Sequence, residues 1–368
     1  MFKDMVDLKD HTNAWISLDL VPNIGPVTVK RLLEIFKTPG NILAAPISEI
    51  KELGILNSAQ IKSLAKGPDI DAAAKASDCL DKLGASVIGM GEPCYPQGLR
   101  HIEDPPVALY VKGSLEDLQP AVAIVGTRSP SHYGKDLAQR MARDLSISGV
   151  SVVSGLARGI DTCAHKGALE GISKTVGVLG SGLDTIYPPE NTELAEKIAH
   201  NGAVITEFPP GTRPDAGNFP RRNRIISALS TAVVVIEAAD RSGALITARL
   251  AGEQGKMVMA VPGAVTNIRS QGPHHLIRQG AVLVRDAQDV IMEIAPQIKG
   301  FIKDSEEACT TGDDIIDICA GHAMGIEDIA KELNIAVVKL MPRISMLELS
   351  GKIIKVDGNR FISRSTNG

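Results

Sequence analysis

The sequence predicts an α/β fold: a doubly wound, mostly parallel sheet with a small helical unit on each side. Three observations predict it. Between Ala85 and Ala295, short β-branched runs alternate with amphipathic stretches, the pattern of buried strands covered by helices. From Ala14 to Lys82, and again after Asp313, apolar residues recur at helical spacings. Finally, 368 residues, 44% of them hydrophobic, are enough for one large core with chain left over for smaller modules.

In chain order, residues 10–82 read as an N-terminal helical unit. Val29 to Phe36 carries the helical spacing, and Pro39-Gly40 and Gly54 break it. The turn from Val21 to Thr28 looks like a Gly-containing hairpin between helices, which gives the unit a SAM or helix-hairpin-helix character. Such a turn can offer backbone N–H groups to a phosphate, although a plain helix connection is the commoner case. Residues 85–298 form the Rossmann-like unit. Its strands are expected over Ala121 to Val125, Val150 to Val153, Thr175 to Leu179, Ala203 to Thr206, Ala232 to Glu237, Met257 to Val261 and Ala281 to Val284. Residues 299–312 read as a polar linker. Residues 313–366 read as a winged helix, with helices over Asp313 to Ala320, Gly325 to Leu333 and Val337 to Leu349. Two strands follow, around a Gly turn, between Gly351 and Ile362. From Glu306 to Gly368 there are ten acidic and seven basic residues. That balance supports protein docking or regulation as well as the usual DNA-reading role of such a module.

Composition narrows the function. The first twenty residues mix charges with short apolar pieces, and no apolar run is long enough to span a bilayer. A soluble, cytoplasmic protein is expected. Five cysteines without a C-x-x-C pair argue against a disulfide framework and against zinc, and no metal is expected. The net charge of −4 means that any nucleic-acid site must be a local basic patch.

Three expected strand ends empty into Gly-rich loops. The first runs Gly126-Thr127-Arg128 and the second Ser154-Gly155-Leu156-Ala157-Arg158. The third contains Gly180 and Gly182. Glycine lets an anion approach the backbone, and the free N–H groups and dipole of a following helix favour negative charge. Loops at the carboxyl ends of neighbouring strands converge on one crevice, with Arg128 and Arg158 expected at its rim, each able to fork onto a phosphate. Further on, Phe219 precedes Arg221-Arg222-Asn223-Arg224. Three arginines and an asparagine beside a ring suit several phosphates of a polynucleotide better than one mononucleotide. With aromatics at 3%, an extended stacking platform is excluded, so phosphate contacts should dominate.

No G-x-x-x-x-G-K-[ST] loop is present, and the third loop carries Thr185 where a dinucleotide fingerprint wants a small residue. Both features argue against an ATPase or an NAD enzyme; no cofactor is expected. No G-x-S-x-G elbow or metal-like histidine spacing is present. The loop from Glu237 to Thr247 could supply a general acid or base, or cap the helix that follows; the cap is favoured, because no partner has the required spacing.

Taken together, these stretches resemble the DNA processing protein A family, also called Smf. The matching runs are Gly126-Thr127-Arg128 with Ser131-His132-Tyr133-Gly134, Ser154 to Asp161, Tyr187-Pro188-Pro189-Glu190-Asn191, Phe219 to Arg224 with Ser227, Ser242-Gly243-Ala244 and Val261-Pro262-Gly263. They occur in the family's order over about Pro93 to Val284, with one departure at Gly272-Pro273-His274-His275-Leu276-Ile277, where many members have Gly-x-Asn-x-Leu-Ile. The resemblance implies single-stranded DNA binding without catalysis, loading of a RecA-type recombinase, a homodimer formed through the Rossmann-like unit, and a role in natural transformation or recombination. It places phosphate binding on Arg128 and on the loops around Ser154, Gly155 and Arg224. The competing reading is an enzyme that hydrolyses nucleoside monophosphates on a similar fold, but its Pro-Gly-Gly-x-Gly-Thr pattern is not met at Pro262-Gly263-Ala264-Val265-Thr266.

Overall fold

A computed structural model describes residues 10–302, 313–333, 335, 337–349, 352–356 and 360–363. Most of the expected linker, 299–312, and the Gly turn between the last two strands lie outside the described residues.

Nine strands form one sheet in the order β1-β2-β6-β5-β4-β3-β7-β8-β9. They are β1 (Ala85–Gly89), β2 (Ala108–Gly113), β3 (Ala121–Val125), β4 (Ser151–Ser154), β5 (Thr175–Val178), β6 (Ala203–Thr206), β7 (Ala232–Val235), β8 (Met257–Ala260) and β9 (Val282–Leu283). From β6 to β9 every pairing is parallel. The seven strands expected from the sequence occur where their apolar runs lie. β1 and β2, an antiparallel pair of which β2 joins the sheet antiparallel to β6, were not expected, because their residues do not form an unbroken β-branched run.

The connectivity makes one crevice inevitable. The chain steps from β3 outward through β4, β5 and β6, then returns to the other side of β3 and steps outward through β7, β8 and β9. The direction reverses between β3 and β7, and a parallel sheet opens a cleft at the carboxyl ends of its strands at such a point. Helices cover both faces. Leu137, Met141 and Leu145 of the helix His132–Ile147 pack on one face with Ile160, Ala164 and Ile294. Ile225 and Ile226 of the helix Asn218–Ala228 pack on the other with Ala244 and Ala248.

The N-terminal helices share a core with the antiparallel end of the sheet. Trp15, Leu18, Val29, Leu32 and Leu80 lie in one cluster with Val87, Tyr110, Leu194 and Ile198. Gly84, at φ +60°, closes the helix Ile70–Leu83 and turns the chain directly into β1. After residue 312 come the helices Asp313–Ile318, Ile326–Glu332 and Val337–Leu349, and β10 (Met324–Gly325), β11 (Ile353–Val356) and β12 (Arg360–Ser363) form a small antiparallel sheet. Ile329, Leu340, Ile344, Ile353 and Phe361 are their core. No helix among the described residues is long and apolar enough to cross a membrane.

The seam between the N-terminal helices and the sheet holds a titratable group. Asp19 ends the helix Asp10–Asp19 and accepts a 2.9 Å hydrogen bond from the Tyr110 hydroxyl. Burial pushes its carboxyl up from 3.8 to about 7, helped by the nearby Glu207 and opposed by Tyr110 and Arg221. The folded chain therefore holds a proton that the unfolded chain has lost, and stability should fall as pH rises from about 4 to about 7, then level off. Three pH units correspond to at most about 4 kcal/mol. Asp19→Asn should therefore gain stability relative to the parent between pH 5 and pH 8, measured as the difference in denaturant midpoints. A constant difference across that range would rule out titration at this site.

Candidate anion-binding crevice

The loops after β3, β4 and β7, with the helix Asn218–Ala228, enclose a cleft of about 770 Å³. Its lining includes the guanidinium groups of Arg128, Arg222 and Arg241 against a single carboxylate, Asp161. Low-dielectric walls of one dominant sign concentrate counter-charge.

The first loop is pinned from β7. The Thr127 amide donates to the Glu237 carbonyl at 2.7 Å, and the Thr127 hydroxyl oxygen accepts from the Ser129 amide at 3.2 Å. The Glu237 carboxylate, buried, accepts from the Ser131 amide at 2.9 Å and from its hydroxyl at 2.5 Å, while Ser131 caps the helix His132–Ile147 through the Gly134 amide. Ser242 caps the helix Gly243–Glu253 by accepting from the Ala244 amide. The cap expected of this loop thus belongs to Ser242, and Glu237 instead secures the loop that carries Gly126 and Arg128.

Arg128 is exposed, and its guanidinium makes no hydrogen bond or ion pair among the described residues. Its carbon lies 5.3 Å from the centre of the Phe219 ring, a cation–π distance. Phe219 in turn packs on Tyr187, with ring centres 5.7 Å apart at 42°. Gly180 leaves room for this ring, since a Cβ there would stand 2.9 Å from Phe219 Cδ1. Tyr187 follows the third Gly-rich loop and Arg241 lies in the loop from Glu237 to Thr247, but neither was expected as a binding residue. The signal for both was position, because each follows a strand end that opens on the cleft.

Beneath the rim, Arg222 is buried. It donates to the Gly155 carbonyl at 2.5 Å, to the Val178 carbonyl and to Asn223 Oδ1 at 3.0 Å. Gly155 is required here because a side chain would collide with this guanidinium. Burial lowers Arg222 to about 10, partly offset by Asp161. Burial also pushes the Asp161 carboxyl up, against Arg222 and the Gly155 and Ala157 amides that donate to it at 3.1 and 3.4 Å. The pair forms the floor of the crevice and ties the ends of β4 and β5 together.

The remaining predicted residues are placed differently. The Ser154 hydroxyl donates inward to the Ile124 carbonyl at 2.7 Å and is fully buried. Gly182 donates its amide to the Thr212 carbonyl at 2.9 Å. Arg158 forks onto the Glu190 carboxylate, with NH2 to Oε2 at 3.1 Å, both side chains half exposed; an exposed pair of this kind is weak and open to exchange for another anion. Arg221 and Arg224 point away from the cleft. Arg224, almost fully buried, grips Glu207 with both nitrogens at 2.6 and 2.9 Å and donates to the Asp104 carbonyl at 2.8 Å. Arg221 reaches the same carboxylate at 2.8 Å and lies over the Phe208 ring.

The fold and the crevice define a Rossmann-like protein with an electropositive cleft at its switch point. Residues 86–295 match the family model described as DNA recombination-mediator protein A. The chain belongs to that family. It is 39% identical over 275 residues to Protein Smf of Escherichia coli, spanning 72% of this chain and 74% of that protein. The crystal structure of DNA processing protein A from Streptococcus pneumoniae matches with a TM-score of 0.67 at 35% identity, covering 77% of this chain and 98% of that one. The protein of the same name from Helicobacter pylori, described for its single-stranded DNA binding mode, matches with a TM-score of 0.53 at 32% identity, covering 58% and 96%.

Proposed function

We propose that this chain binds single-stranded DNA in the switch-point crevice and passes it to a RecA-type recombinase, acting as a homodimer. The observation that carries the reading is Arg128: an exposed guanidinium with no hydrogen-bond or ion-pair partner among the described residues, standing over the Phe219–Tyr187 ring pair. A phosphate can take the cation while one adjacent base meets a ring. The S. pneumoniae and H. pylori likenesses support it. Arg158, once released from Glu190, and Arg241 extend the phosphate path. The N-terminal helices and the expected winged helix act as accessory units in this reading, for docking or regulation.

The test is a salt series with labelled single-stranded and duplex oligonucleotides. Single strands should bind several-fold or more tightly than duplex, with log affinity falling linearly as log salt rises, because bound cations release counterions. Equal affinity for duplex at every salt concentration would refute the reading.

A further inference from the structure

A second large cavity lies at the opposite pole of the sheet. It encloses about 1170 Å³ where the chain enters β3, β7 and β8, bounded by the segments 93–101, 115–120, 228–231 and 254–256. The DNA crevice is at the other end of these strands, and the two share no lining residue.

Its charges are unbalanced. Lys256 and Arg100 face it with Asp117 as the one carboxylate in the lining. Arg100 is held by the Tyr95, Glu92 and Pro93 carbonyls, none of which neutralises it. The Lys256 ammonium makes no hydrogen bond or ion pair among the described residues, although the residue is only partly exposed. Burial alone lowers its proton affinity. An ammonium that has lost water without gaining an acceptor is poised to take an anion.

We propose that this cavity is a second binding site, which takes a short acidic peptide segment carrying apolar side chains from a protein partner. Its volume exceeds the roughly 300–1,000 Å³ that a small ligand fills, which suits several residues of extended chain. The part-exposed Pro96, Leu115 and Pro120, with the exposed Pro93, give apolar walls for side chains. A nucleic acid fits less well: of the two rings in the lining, Tyr95 is 2% exposed and gives its hydroxyl to the Pro106 carbonyl, which leaves the lone imidazole of His101, too little for successive bases to stack on. Carboxylates would meet Lys256 in a partly desolvated setting, where charge-assisted hydrogen bonds are strongest, and the exposed Arg100 at its edge.

The test uses the full chain and a library of labelled hexapeptides that combine aspartate with leucine, isoleucine, proline and phenylalanine, each beside its asparagine counterpart, read by fluorescence anisotropy. Acidic members should bind at least tenfold more tightly than their counterparts. Lys256→Met, which keeps the aliphatic stem, and Lys256→Glu should each lose tenfold or more. Lys256→Met should melt at or above the parent temperature, because a partly desolvated charge is gone, so a loss of binding cannot be blamed on misfolding. Arg128→Ala should leave peptide binding unchanged. The proposal is overturned if no acidic peptide exceeds its counterpart, or if Lys256→Glu binds as the parent does. It is also overturned if an oligonucleotide displaces the peptide from the Arg128→Ala protein, which would assign the cavity to nucleic acid.

Discussion

Glu207→Ala should lower stability by about 3–5 kcal/mol, the usual cost of removing one partner of a buried ion pair. One carboxylate, 2% exposed, neutralises two guanidiniums, Arg224 by a two-pronged contact and Arg221 by a single one. Without it Arg224 stays buried and keeps only the Asp104 and Arg221 carbonyls and a 3.4 Å approach to the Asp104 carboxylate. At roughly 2–4 °C per kcal/mol for a chain of this order of size, Tm should fall by about 6–20 °C. Glu207→Gln should fall in between, because an amide oxygen still accepts one of the hydrogen bonds. Scanning calorimetry decides the matter: a Tm within 2 °C of the parent would mean that Asp104 or water takes over the whole role.

Arg128→Ala should weaken single-strand binding about ten- to a hundredfold, from the loss of one charge-assisted contact of roughly 1.5–3 kcal/mol. Tm should stay unchanged, since the side chain is exposed and packs only against the edge of the crevice. Arg128→Lys should recover part of the loss, because an ammonium cannot fork onto a phosphate. Arg224→Ala should behave oppositely, with a large loss of Tm, because its guanidinium is committed to Glu207. An Arg128→Ala protein with the parent's affinity and salt slope would remove the crevice from the DNA path.

The two arginines differ because a helix intervenes between sequence and surface. In the linear chain, Arg221-Arg222-Asn223-Arg224 reads as one row of donors in which neighbours could replace one another. In the helix Asn218–Ala228, residues three apart share a face. Arg221 and Arg224 therefore turn together toward Glu207, while Arg222 and Asn223 form the floor of the cleft. The helical period was legible, but the carboxylate that waits on one face was not, because Glu207 is distant in sequence and arrives only when β6 is in place.

The sequence by itself determined the parallel part of the sheet and the place of the crevice. A fully buried parallel strand must be an unbroken apolar run, and a Gly-rich loop must follow where a helix starts close against it, so both features are written locally. The family, too, was legible from short runs in a fixed order. Only the tertiary structure decided which polar groups face the cleft. The Ser154 hydroxyl turns to the Ile124 carbonyl, Arg158 is matched by Glu190, and Tyr187 meets Phe219 across the crevice. It also decided that the N-terminal helices share their core with β1 and β2. Each of these contacts joins residues far apart in the chain, and burial rewards whichever distant partner satisfies the group, which no local pattern encodes.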